Sequence, residues 1–374
     1  MLETLGTILF YLLILIVVLI VLLMAFIKIA KVFGGKPSKQ QKKKYSQYPN
    51  HKEGKFTNLM PQFTVTQAPD FIDDSLHPKS TRRPDFDIPY VKIDPKSLAE
   101  KTTHTRITWF GHSTMLLEMD GKNILIDPMF GDVPSPVSFI GQKRYSKGLP
   151  LSIEELPPID AVLLTHDHYD HLDYQSILKI KDKVKKFYVP LGLNFHLLRW
   201  DVPEAKIEEL NWYETATLEG INFTLTPSHH YSGRSLNDRF ESLWGGWVIK
   251  GALDNIYVSG DGGYGPHFKQ VGLEYGPFDF AMVECGQYSR YWRQNHLFPE
   301  QSVRAAADVG AKLIMPIHWG AFTLAMHSWD APVKRFLTKA KEFGIPVTTP
   351  KIGEQIVLGK EPSEQPTSAW WENK

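Results

Sequence analysis

The pattern of apolar and polar positions divides the chain into three stretches. Residues 5–27 carry no charge and are dense in Leu, Ile and Val. As a helix this run would extend ~34 Å against a hydrocarbon core of ~30 Å, so it predicts a membrane-spanning helix. A cleaved leader fits less well: Glu3 is the only charge before the run, the run is long, and no small-residue cleavage site comes after it. From Tyr45 to about Thr103 periodicity is weak and Pro, Lys and Asp are frequent. The apolar residues Phe56, Phe63, Phe71, Phe86 and Tyr90 make this stretch an arm draped on a folded body rather than a spacer.

From Arg106 onward short apolar runs recur between turn signals. They predict strands at 107–110, 114–119, 122–127, 161–164, 187–189, 221–226, 244–250, 256–259, 278–284 and 313–316, with Asp120-Gly121 as a hairpin turn. Helical spacing predicts helices at 174–186, 299–309 and 332–343, Pro299 suiting a first-turn position. Two β-rich halves with interspersed helices imply an α/β fold: two sheets face to face, covered by helices on their outer faces, a four-layer αβ/βα sandwich. The expected organisation is an N-terminus at 1–4, a transmembrane helix at 5–27, a basic linker and Pro-rich arm at 28–103, a folded domain at 104–360 and a C-terminal tail at 361–374.

Composition changes this picture in two places. The 374 residues are 43% hydrophobic, ample for a full core. The formal charge is +1, but Lys28, Lys31, Lys36, Lys39, Lys42, Lys43 and Lys44 against Glu3 give residues 1–44 a charge of +6, which leaves 1 − 6 = −5 for the remainder. An acidic body is a poor nucleic-acid binder, so nucleic acid is not an expected partner. The lysines place the body on the cytoplasmic side of the membrane and make anionic lipid headgroups an expected partner, at ~1 kcal/mol for each lysine near the surface. Cys285 is the only cysteine, so the chain has no internal disulfide, as suits a reducing compartment.

The densest chemistry is at 165–173, reading THDHYDHLD behind an apolar run. His166, His168, Asp170 and His171 offer imidazole and carboxylate, the usual non-thiol ligands of zinc. Further candidates stand after later apolar runs: His229-His230 after 221–226, Asp261 within a glycine-rich turn after 256–259, and His318 after 313–316. The expected site holds two Zn2+ per chain, one on His166, His168 and His230, the other on Asp170, His171 and His318, with Asp261 shared. Two metals about 3.5–4 Å apart would present water as hydroxide, the expected nucleophile.

These motifs resemble the metallo-β-lactamase superfamily. The segments WFGHSTMLL, LIDPMFG, SPVSFIGQKRY, ELPPIDAVLLTHDHYDHLDYQS, TPSHHYSGR, LWGGWVI, SGDGGYGPHF, YGPFDFAMVECGQY, HLFPEQSV and IHWGAFTLA are similar to the branch that hydrolyses N-acyl-phosphatidylethanolamine, a phospholipase D reaction. That resemblance implies the fold, the zinc pair, the seven ligands, a membrane phospholipid as substrate, and cleavage to N-acylethanolamine and phosphatidic acid. It favours His230 over its neighbour His229 as ligand. It also implies catalytic roles for Asp170 and for His296, the latter as general acid to the leaving alkoxide or as donor to a phosphoryl oxygen. His112 is expected to support the metal loop from behind. The N-terminal arm departs from the family pattern. A lactonase or sugar-phosphate lactonase of the same superfamily is the alternative reading, and a non-enzymatic metal sensor a third. A homodimer is a further expectation. No candidate ligand precedes His51, so the first 44 residues are expected to deliver the enzyme to lipid without building its site.

Overall fold

The computed structural model describes residues 2–60, 79–99 and 103–372; Phe63, Phe71 and His77 lie outside them. The hairpin predicted at Asp120-Gly121 joins Met115–Met119 to Lys122–Ile126. Both turn residues have positive φ, 50° and 73°, the conformation of the tight turns that match strand twist.

Strands of almost unbroken burial make two sheets. The seven-stranded sheet runs Gln355–Val357, Arg106–Trp109, Met115–Met119, Lys122–Ile126, Ile159–Leu163, Val184–Pro190, Ile207–Leu210. From Lys122–Ile126 onward its strands are parallel. The six-stranded sheet runs Ile314–Ile317, Phe280–Glu284, Asn255–Val258, Gly246–Lys250, Ile221–Thr226, Thr215–Leu218. Alternation along the strands sends side chains to two cores. Ile107, Leu117, Ile126 and Leu163 pack with Phe223, Leu225, Trp247 and Ile249 of the other sheet. Leu116, Leu125, Val162 and Phe187 face the other way, with Ile177, Ile180 and Leu197 from the helices Tyr174–Ile180 and Asn194–Arg199. Helices Pro299–Asp308 and Ala331–Phe343 supply Val303, Ala306, Val333 and Phe336 to the core on the far side. Two sheets face to face with helices on their outer faces make the mixed α/β arrangement expected from the sequence.

One predicted helix is too long. The chain leaves helix at Ile180, and Val184 begins a strand in register with Ile159. The apolar spacing of 174–186 fits a helix through the later residues, but the edge of the Ile159–Leu163 strand needs a parallel partner, and that backbone pairing overrides the local pattern.

The helix Leu2–Ile29 stands exposed along nearly all its length and fits a membrane anchor by length and apolarity. The segment beyond this helix is laid on the domain. Tyr45 is buried and donates to Glu209 at 2.6 Å, and Asn50 bonds Asn211 at 2.8 Å. Lys31, Lys42 and Lys44 pair with Asp201, Glu241 and Glu209, so part of the basic run meets acidic groups of the body. At the other end Trp370 and Trp371 are buried, and Trp370 stacks on Trp319 with centroids 5.1 Å apart.

Candidate metal centre

Parallel strands deliver their C-terminal ends to one edge, where loops can turn freely and polar side chains can converge. Loop 165–173 leaves Ile159–Leu163, and Asp127 leaves Lys122–Ile126. In the second sheet Ile221–Thr226 is antiparallel to Gly246–Lys250, which is antiparallel to Asn255–Val258. Ile221–Thr226 therefore points the same way as Asn255–Val258, Phe280–Glu284 and Ile314–Ile317. Residues His230, Asp261, Glu284 and His318 thus reach the edge that carries loop 165–173.

All seven predicted ligands meet there. His168 Nδ1 lies 3.0 Å from His166 Nε2 and 3.2 Å from His230 Nε2. Beside this trio, Asp170 Oδ2 lies 3.2 Å from His318 Nε2 and 3.5 Å from His171 Nε2. Asp261 Oδ2 sits between the groups, 3.0 Å from His318 Nε2, 3.1 Å from His171 Nε2 and 3.8 Å from His166 Nε2. Among the described residues, His166, His168 and His230 form one metal-competent group and Asp170, His171 and His318 another, which His112 joins; Asp261 groups with His166 and His171 and, separately, with Glu284, His296 and His318. His229 is buried but belongs to none of the metal-competent groups among the described residues.

The donor set fits cations. Burial, reinforced by neighbouring histidines, holds His166 and His230 well below the usual imidazole range, so both present lone pairs. Burial would push Asp170 and Asp261 up, but His171 and its neighbours outweigh it and keep both carboxylates ionised. Burial disfavours charge on His318 too, yet Asp261, Asp170 and Glu284 raise it to about 10. The carboxylates thus demand positive charge where the second metal would sit. Asp261 Oδ1 is buried without a hydrogen-bond partner, which an ion would satisfy.

A second ring of contacts aims these side chains, as metal ligands generally require. His171 Nδ1 meets Asp127 Oδ2 at 2.8 Å, and Asp127 also accepts from the Thr165 amide and hydroxyl at 2.8 and 2.6 Å. His230 Nδ1 meets the Asn295 carbonyl at 2.8 Å. His112 Nε2 meets Asp170 Oδ2 at 2.8 Å, from behind the loop. His112 and His318 both have positive φ, 56° and 66°, and are tied by the His318 amide donating to the His112 carbonyl at 3.0 Å. Strained non-glycine backbone of this kind persists where surrounding structure over-determines it.

His296 lies at the rim, its side chain 15% exposed while the neighbouring groups are closed off. Its ring stacks on His318, centroids 5.1 Å apart, and its Nδ1 meets Glu284 Oε2 at 2.8 Å. Glu284 is wholly buried and its other oxygen accepts from the Gly262 and Leu297 amides at 2.8 and 3.0 Å. Glu284, Asp127 and Arg234 are not among the residues the sequence singles out. The first two end predicted strands, the same signal that marks Asp261 and His318, while Arg234 carries no comparable mark.

Comparison with known proteins agrees with this geometry. A model described as a beta-lactamase superfamily domain matches residues 122–319. An uncharacterized protein of Mycobacterium tuberculosis is 36% identical over 318 residues, covering 83% of this chain and 84% of that one. N-acyl-phosphatidylethanolamine-hydrolyzing phospholipase D 1 of Caenorhabditis elegans is 34% identical over 229 residues, covering 58% of this chain and 64% of that protein, less than two thirds of its length. Among solved structures, a metallo hydrolase from Ignicoccus hospitalis shares the fold at a TM-score of 0.52 and 21% identity, over 69% of this chain and 100% of that one. With the two sheets, the strand-end ligands and these matches in place, the chain belongs to the metallo-β-lactamase superfamily, close to the N-acyl-phosphatidylethanolamine-hydrolysing phospholipases D.

Proposed function

We propose that this metallo-hydrolase is a membrane-anchored, zinc-dependent phosphodiesterase that cleaves N-acyl-phosphatidylethanolamine into N-acylethanolamine and phosphatidic acid. The observation that carries the reading is Asp261 within reach of His166, His171 and His318, beside a rim histidine held by a buried carboxylate. His166, His168 and His230 would hold one zinc, Asp170, His171 and His318 the other, and Asp261 both. Bound there, the ions would supply Lewis-acid stabilisation of the phosphoryl oxygens and acidify water in the site.

The chain's own residues do the rest. Asp170 is oriented by His112 and keeps its ligand geometry as charge builds on the substrate. Glu284 holds the Nδ1 side of His296, which leaves Nε2 as the nitrogen available to substrate. In the reaction a water oxygen bonds to phosphorus, the P–O bond on the ethanolamine side breaks, His296 Nε2 gives its proton to the departing alkoxide, and the proton released by the attacking water restores His296. The phosphatidic acid keeps the new P–O bond. The lipid relative and the exposed apolar helix support a phospholipid over a soluble lactone.

The test is hydrolysis of a panel of phospholipids and lactones by the full-length chain in mixed micelles with zinc, read by mass spectrometry. N-acylethanolamine and phosphatidic acid should appear together. Turnover confined to lactones would replace the reading with the lactonase alternative.

A further inference from the structure

The segment leaving the apolar helix does not hang free; it is bonded to the loop that carries half of the donor set. Arg234, 4% exposed, is the link. Its Nη1 donates to the carbonyls of Asp167 and Leu172 at 2.6 and 2.7 Å, which bracket His168, Asp170 and His171. Its Nη2 and Nε donate to the carbonyl of Val32 at 3.0 and 3.3 Å, just beyond the helix. The guanidinium lies between Tyr169 of the loop, 4.1 Å from the ring centroid, and Trp200, 5.2 Å. Trp200 in turn donates to the Lys31 carbonyl at 2.7 Å, and Arg199 donates to the Lys28 and Ile29 carbonyls at 3.1 and 2.9 Å.

A second path runs through two glycines. A Cβ on Gly35 would come within 2.0 Å of the Phe195 carbonyl, and one on Gly34, whose φ is +78°, within 1.8 Å of His196 Nδ1. Only glycine permits that approach. His196 Nε2 then meets Asp167 Oδ2 at 3.2 Å, inside the loop.

We propose that residues 32–35 are a positioning element of the metal centre, acting chiefly through Arg234, so that the centre reaches its full metal affinity only while the anchor's exit segment is docked. This rests on reading 165–173 as a metal loop. The physical reason is satisfaction of a buried cation. Five N–H groups in a fixed fork need acceptors, and without the Val32 carbonyl one side of the fork is left unpaired in a closed site. The guanidinium then re-aims, and the two carbonyls that pin the loop's ends lose their donor. Because coupling between sites is reciprocal, bound metal tightens the dock as the dock tightens metal. The consequence would be a metal centre with a fixed orientation to the bilayer, and a role for the first 44 residues beyond delivery.

The test uses the full-length chain in detergent micelles loaded with zinc, with the rate of zinc transfer to a chelator as readout. Gly35→Val, Arg234→Met and the double variant are compared with the wild type, folding being checked by circular dichroism. Each single change should speed zinc loss about tenfold or more, the effect typical of residues that orient ligands. The double variant should lose zinc little faster than Arg234→Met alone, since undocking the segment acts chiefly by removing the Arg234 path and leaves only the weaker His196 contact to add. Gly34→Val repeats the test if Gly35→Val does not fold. Wild-type retention in both glycine variants, or effects that multiply in the double variant, would overturn the coupling. A wild-type chain that takes up no zinc would instead overturn the reading of the loop itself.

Discussion

At the scale of single residues, the groups that touch metal are easier to read than the groups that aim them. Ligands must be His or Asp in a tight spacing, whereas an orienting partner can be any acceptor brought near by the fold. Glu284 illustrates this: burial pushes its carboxyl up while His296 pulls it down, and nothing in its local sequence announces that partnership. Glu284→Gln should lower kcat about 10–100-fold with both zinc ions retained, because the imidazole loses the charge that orients it. Kinetics paired with elemental analysis checks this, and loss of one zinc would make Glu284 a ligand instead. The adjacent histidines give a second prediction. His230 points its Nε2 at His168 while His229 sits outside the donor groups, so His230→Ala should abolish turnover and His229→Ala should keep a substantial fraction of it. The reverse outcome would mean the ligand is the other histidine.

At the scale of elements, strand existence is legible because each strand is a short apolar run between turn residues, and observed ends differ from expected ones by a residue or a few. Short exposed strands such as Thr215–Leu218 and the helix Asn194–Arg199 carry too little periodicity to stand out. The C-terminal stretch reads as a polar tail, yet its paired tryptophans pack against Trp319, directly after His318. Trp370→Ala should therefore destabilise the domain by about 3–5 kcal/mol, the range for removing a large buried aromatic. Chemical denaturation of the full-length chain measures it, and a change below ~1 kcal/mol would show that the stack is dispensable.

At the scale of the whole molecule, strand ends from both sheets bring the donor groups to one edge. The closed donor set holds ionised carboxylates beside histidines whose charge they sustain, so removing cations leaves the site poorly compensated. Chelation should lower the melting temperature and zinc should restore it, because each ion bound only by the folded state adds about 2.7 kcal/mol at a hundredfold excess over its Kd. Identical melting with and without chelator would argue that the site is not metal-loaded in the folded chain.

The long apolar helix, the strand-rich domain and the seven candidate ligands are legible in the sequence alone, because each depends on residue type and local spacing. Only the tertiary structure decided what stands behind those ligands. Arg234 meets Val32 across 202 positions, and His296 meets Glu284 because a strand end and a loop share one rim. Such contacts depend on which strand ends share an edge and on which buried donors need acceptors. Pairings between residues far apart in the chain set both, and local pattern carries no record of them.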